Sequence, residues 1–179
     1  MTLEDLLDIE AIRQALASYA RGIDRQDHDL VLSAYWPDGW DAHGSHEGSP
    51  QAFAEFVRRH WAIFRMQHIF GQSRIELDGS FANVESYFTA HHRLVEENRE
   101  YVLGGRYNDR FEKRDGMWKV LDRVVVFDWR KQWDTTDVDK IKLGAFPGRN
   151  RGGTTDDYSF ELFLTGSKDS GSSTTAPAE

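Results

Sequence analysis

Seven histidines, 30 acidic side chains and no cysteine define the chemistry open to this chain. Without a thiol there is no disulfide, thiolate nucleophile or thiolate metal site, so reactive work falls to imidazole, carboxylate and phenol groups. Asp24 comes just after the first helical pattern, between Arg21 and Arg25, and His68 follows 44 residues later in an alternating stretch. A carboxylate that accepts the proton of one ring nitrogen sets the tautomer and leaves the other nitrogen as an acceptor. It also favours the imidazolium, giving a base able to take a proton from carbon or hydroxyl near neutral pH. The residues alone leave two other readings open: a helix-end salt bridge for Asp24 and a half-buried strand histidine for His68.

Other groups could join them. Tyr19 lies on the apolar side of the first helix, where its phenol can donate to a substrate oxygen or simply fill the core. His91 and His92 are adjacent on an alternating segment and point to opposite faces. His92 shares a face with Ala82, Val84, Ser86, Phe88 and Ala90, the smaller and more apolar set, so it is the pocket candidate. His43 falls in a polar stretch as a potential acid or donor. Arg106, in the run GGRYND, is a candidate contact for an anionic or phenolic substrate. Asp128 shares the parity of Val124 and Val126 and, with Trp129, is expected near a pocket mouth. Trp40, Trp61 and Phe64 are candidate walls, and His28, His46 and His60 read as surface.

Several chemistries find no support. His46-Glu47-Gly48 lacks a second histidine four residues on, so there is no HExxH. His91 and His92 cannot share an ion from opposite faces; a two-histidine, one-carboxylate site from His43, His68 or His92 with Asp24 stays open in principle. Gly104-Gly105-Arg106 lacks phosphate-loop spacing, and neither GxSxG nor a Cys–His pair exists. The net charge of −8 and the scattered basic residues argue against nucleic acid and anionic membrane as partners.

The elements that must position these groups follow from periodicity. Leu3, Leu6, Leu7, Ile9, Ile12, Leu16 and Tyr19 recur at helical steps behind a Thr2/Asp5 start signal, ending near Gly22. Asp27 caps a short second helix, stopped by Pro37 and Gly39 and followed by a polar loop, Trp40 to Gly48. Ser49-Pro50 opens a third helix carrying Phe53, Phe56, Val57, Trp61 and Phe64. The period then changes to two, with strands over 66–77, 81–95, Tyr101–Lys113 and Met117–Trp129; Asp78-Gly79 and Asp115-Gly116 supply turns. Three helices and then antiparallel strands make an α+β order. The acidic N-terminus is unlike a leader peptide, and no apolar run approaches the ~20 residues of a membrane span; both point to the cytoplasm. Residues 1–133 form the expected domain, 134–166 an arm with a brief apolar alternation (Tyr158, Phe160, Leu162, Leu164) laid on this subunit or a neighbour, and 167–179 a disordered tail.

The wording of the chain adds a resemblance. YARGIDRQD (19–27), MQHIFG (66–71), AHHR (90–93), GGRYNDRFEKRDGMWKV (104–120) and FDW (127–129) resemble the SnoaL-like branch of the NTF2-like superfamily over about residues 5–133. The resemblance implies a cone: three N-terminal helices packed on a curved, mostly antiparallel sheet that encloses a pocket. In the dehydratase-like members, the acid closing the first helix orients a histidine on the first long strand, which implies Asp24 and His68 here. Those members carry a tyrosine near the position of His43, so histidine there is a departure. At the place of His92, scytalone dehydratase has a histidine and bile-acid dehydratase an acid. The implied activity is a cofactor-independent lyase, with Asp24, His68, Tyr19, His43 and His92 as its acid–base set. Its substrate would be a small apolar cyclic or aromatic compound losing water, or formaldehyde if a primary alcohol in a lignin-derived aromatic is cleaved. A ketosteroid-isomerase-like isomerase, a polyketide cyclase and a non-catalytic binding or assembly module are the alternatives. Similar proteins are dimers or trimers, so a homo-oligomer is expected, with no metal or cofactor.

Overall fold

The computed structural model describes residues 1–134 and 158–164. The Asp5 backbone donates to the Thr2 hydroxyl at 3.1 Å and Thr2 N–H returns a bond to the Asp5 carboxylate at 2.6 Å. This capping box starts α1 (Leu3–Asp24). Helix α1 runs two residues past the expected end, because Gly22 is a contact point and not a stop: a Cβ there would lie 2.7 Å from the Val31 backbone nitrogen of α2 (His28–Ser33). The chain turns at Arg25 and at Gln26, which takes φ of 59°, so Asp24 is the last helical residue. Asp27 caps α2 by accepting from Leu30 N–H.

The polar stretch expected as a loop is instead a pair of strands, β1 (Tyr35–His43) and β2 (His46–Gly48). Tertiary pairing overrides weak local propensity here: β1 lies parallel to the last long strand, with Asp41 beside Arg123. Helix α3 (Pro50–His60) begins at Ser49 with proline in its first turn. It ends before Phe64, which opens β3 (Phe64–Asp78) and is not part of the helical face. Strands β4 (Phe81–Leu94), β5 (Arg99–Arg114) and β6 (Met117–Asp134) follow. Asp115 and Gly116, both at positive φ, form the two-residue hairpin between β5 and β6.

The six strands make one sheet in the order β2-β1-β6-β5-β4-β3, antiparallel except for β1 with β6. Its inner face (Val84 and Phe88 of β4, Tyr107 and Phe111 of β5, Val120 and Val125 of β6) packs on Ile12, Leu16 and Tyr19 of α1 and on Phe53 and Val57 of α3. This is the α+β cone. Residues 158–164 form a short helix, α4 (Tyr158–Leu164), in place of the extended alternation. It meets α1 of the same chain: Arg21 donates to the Ser159 hydroxyl at 2.9 Å and covers the Phe160 and Phe163 rings. The rest of the 134–166 arm and the expected tail 167–179 lie outside the described residues. No helix among the described residues is long and apolar enough to cross a membrane.

Candidate active site

A cavity of about 360 Å3 opens between α3 and the inner face of the sheet, within the size range of small-molecule sites. Its walls are mainly aromatic, with Phe53, Phe64, Phe88, Tyr107 and Phe127 among them, and four histidines, His43, His60, His68 and His92, break that apolar surface.

Asp24 and His68 meet although 44 residues separate them. The end of α1 lies against β3, and both Asp24 oxygens are used: Oδ2 accepts the His68 backbone N–H at 2.8 Å and Oδ1 faces His68 Nδ1 at 2.7 Å. The two side chains are only 10% and 5% exposed. Asp24 thus holds backbone and ring together, and a proton on Nδ1 directed at the carboxylate leaves Nε2 as the acceptor. The competing reading, a salt bridge from Asp24 to Arg21 or Arg25, does not describe the carboxylate: Arg21 turns to α4 and Arg25 Nη1 donates to the Asp24 backbone carbonyl at 3.4 Å.

His92 stands beside this pair, its ring centroid 5.8 Å from that of His68, as its parity on β4 predicts. Burial, and then the neighbouring His68, His43 and His60, push the His92 imidazole down to about 3, so the ring is neutral over the physiological range. Its Nε2 is buried with no hydrogen-bond partner, an unmet demand that a bound polar atom would satisfy. His91, on the outer face, pairs with Glu100 at 2.8 Å.

His43 also lines the cavity, from the end of β1 and not from a loop, stacked on Phe53 at 4.9 Å. Tyr19 does not line it. Its ring is wholly buried one layer deeper, among Tyr35, Phe53, Phe70 and Tyr107, where the same helical face that suggested it also suits a core residue. Phe64 is a wall as expected; Trp40 is not, because β1 turns its ring outward, 47% exposed. Trp61 caps α3 and donates to the Ile23 carbonyl at 2.9 Å.

Three further expectations are corrected by the sheet. Val124, Val126 and Asp128 belong to the outer face of β6, whereas Arg123, Val125 and Phe127 face inward. Asp128 therefore lies outside the cavity, paired with Arg106 at 2.9 and 3.1 Å. Trp129 covers Gly104 on that same outer side. A bulge explains the change of phase: Gly105 pairs with Phe127 and Gly104 with Trp129, so Asp128 is the extra residue and Arg130 returns to the cavity.

The site also contains residues the sequence reading passed over. His60, read as surface, lines the cavity, and His46 packs against Phe53 and Phe56. Tyr101, Leu103 and Tyr107 line it with the period of two of β5, a signal available in the sequence. Arg130, over the Tyr101 ring at 4.4 Å, lies beyond the expected strand end and had none. Among the described residues no three His, Asp or Glu side chains gather as metal ligands.

Against this geometry the comparisons with known proteins agree on the architecture. The sequence profile of the SnoaL-like domain matches residues 4–124. No curated protein matches the sequence at a significant level. Among solved structures, one from Novosphingobium aromaticivorans assigned as a scytalone dehydratase superposes with a TM-score of 0.69 at 22% identity, over 76% of this chain and 94% of that one. A hexachlorocyclohexane dehydrochlorinase from Novosphingobium barchaimii gives 0.67 at 20%, over 73% and 93%. A Mycobacterium tuberculosis protein of unknown function gives 0.63 at 24%, over 70% and 74%. At these identities the likeness establishes the fold alone.

Proposed function

The chain belongs to the SnoaL-like domain family, and from that premise we propose that it is a cofactor-independent lyase acting on a small apolar cyclic or aromatic substrate by histidine–aspartate acid–base catalysis. The observation that carries this reading is the buried His68 ring, clamped by Asp24 at 2.7 Å on the wall of an aromatic cavity. Two similar structures bear the names of elimination enzymes, a dehydratase and a dehydrochlorinase, which supports the same reaction class.

In this mechanism Nε2 of His68 takes a proton from a carbon next to the leaving group. The C–H electron pair becomes the new double bond, and the departing oxygen leaves with the C–O pair and a proton from the His43 side of the cavity, while the neutral His92 ring offers it a hydrogen bond. The Asp24 carboxylate, already oriented, stabilises the imidazolium as it forms. Phe53, Phe88 and Tyr107 hold an aromatic ring by stacking and keep water from the reacting carbon. If the proton comes instead from a primary alcohol, its O–H pair becomes the second C–O bond of formaldehyde, the carbon–carbon pair passes to the remaining carbon, and that carbon takes a proton from His43.

The test is a mass-spectrometric screen of a cyclic and aromatic metabolite library with wild type, His68→Ala and Asp24→Asn. Wild type is expected to yield a product lighter by water or formaldehyde, and both variants to form it at least about 10²-fold more slowly. A product formed equally well by His68→Ala, or one of unchanged mass, defeats the reading; the latter would indicate an isomerase. Turnover lost on adding EDTA would refute the cofactor-free chemistry.

A further inference from the structure

Resting on the lyase reading above, we infer that Asp41 and His43 form a second carboxylate–imidazole pair on the cavity wall, in which Asp41 is the positioning residue that aims the His43 ring. Asp41 is fully buried. Its Oδ2 accepts the Tyr35 hydroxyl at 2.7 Å, but its Oδ1 has no hydrogen-bond partner. The group facing Oδ1 is His43 Nδ1 at 3.4 Å, itself buried and without a hydrogen-bond partner. Two buried orphans turned toward each other each carry a desolvation cost that one proton between them removes. With Nδ1 committed to Asp41, Nε2 is left for the cavity.

The carboxylate cannot swing away, because a charged row anchors it across three strands. Asp41 of β1 sits beside Arg123 of β6, which sits beside Asp109 of β5. Arg123 donates to both Asp109 oxygens at 2.7 Å and to the Tyr35 hydroxyl at 3.2 Å, and its guanidinium lies 4.1 and 4.4 Å from the Tyr19 and Tyr107 ring centres. Tyr35 thus links the buried cation to Asp41. Burial works against ionising Asp41, yet the nearby His43 ring, with Arg123 and the Tyr35 hydroxyl, holds its carboxyl below the ordinary carboxylate value.

This pair supplies the other half of an elimination. His68 gains the substrate's carbon-bound proton; protonated His43 gives its Nε2 proton to the leaving oxygen, which departs as water with the C–O pair. Afterwards His68 holds one proton more and His43 one fewer, and exchange with solvent restores both.

Long-range 1H–15N spectra of the uniformly 15N-labelled full chain, at about pH 9 where imidazoles are ordinarily neutral, read each ring's tautomer directly. His43 is expected to carry its proton on Nδ1 in wild type and to lose that signature in Asp41→Ala, with a partial loss in Tyr35→Phe. A wild-type His43 protonated on Nε2, or a tautomer unchanged in Asp41→Ala, overturns the inference. If Asp41→Ala does not fold, the wild-type spectrum and Tyr35→Phe still decide. The His68 signal in the same spectra reports the first pair separately: if His68 lacks its Nδ1 proton while His43 behaves as expected, the lyase reading fails and the second pair stands.

Discussion

At the scale of single residues, His92 shows how burial sets protonation and, through it, stability. An imidazole among Phe64, His68 and the cavity wall loses more hydration as a cation than as a neutral ring, and its folded value falls to about 3. The unfolded chain, near the ordinary ~6.5, binds a proton that the native state refuses. Stability is therefore fully present above about pH 6.5 and declines as pH falls from there toward about 3. Between pH 7.5 and 5 this one group is expected to remove up to about 2 kcal/mol. Urea unfolding of wild type and His92→Gln at the two pH values checks it: the variant should lose measurably less, and equal losses would place the dependence elsewhere.

At the scale of elements, the β6 bulge decides which side chains reach the cavity. Before it, Phe127 faces inward; after it, Trp129 faces out and Arg130 in. The bulge is possible because Gly105 brings β5 close to β6. A Cβ there would collide with the Val126 carbonyl oxygen and approach the Phe88 ring. Strand backbone on the far side has no room to yield, so Gly105→Ala is expected to cost about 1–3 kcal/mol, the usual range for overpacking, and to widen or twist the cavity beside Phe88. A thermal melt gives the first quantity. A Gly105→Ala melting temperature equal to wild type would show that the bulge is softer than its contacts imply.

At the scale of the whole molecule, the outer face of the sheet carries several large apolar side chains among its charged ones. Ile69, Tyr87, Val124 and Trp129 are each about half exposed on it, close to the Arg106–Asp128 pair. Such patches mark interaction surfaces, and the expected outcome is a homo-oligomer, dimer or trimer, joined through this face. Light scattering should give a multiple of the 20.6 kDa chain mass, and Val124→Asp should shift it toward the monomer. A wild-type monomer at micromolar concentration would sink the expectation.

Much of this was legible in the amino-acid order because it depends on local period and local capping. The helical steps of α1, the Thr2/Asp5 box, the Ser49-Pro50 start, the Asp115-Gly116 turn and the inward face of β4 with His92 are properties of neighbouring residues. What the order alone could not decide is which distant residues share a wall. Asp24 reaches His68 because the end of α1 lies on β3, and His43 reaches the cavity only because a stretch without strong strand propensity is drawn into pairing beside β6. Arg106 and Asp128 are outside, and Arg130 inside, for a reason of phase: alternation names two faces but not which one curls inward, and one bulged residue reverses the assignment for everything beyond it.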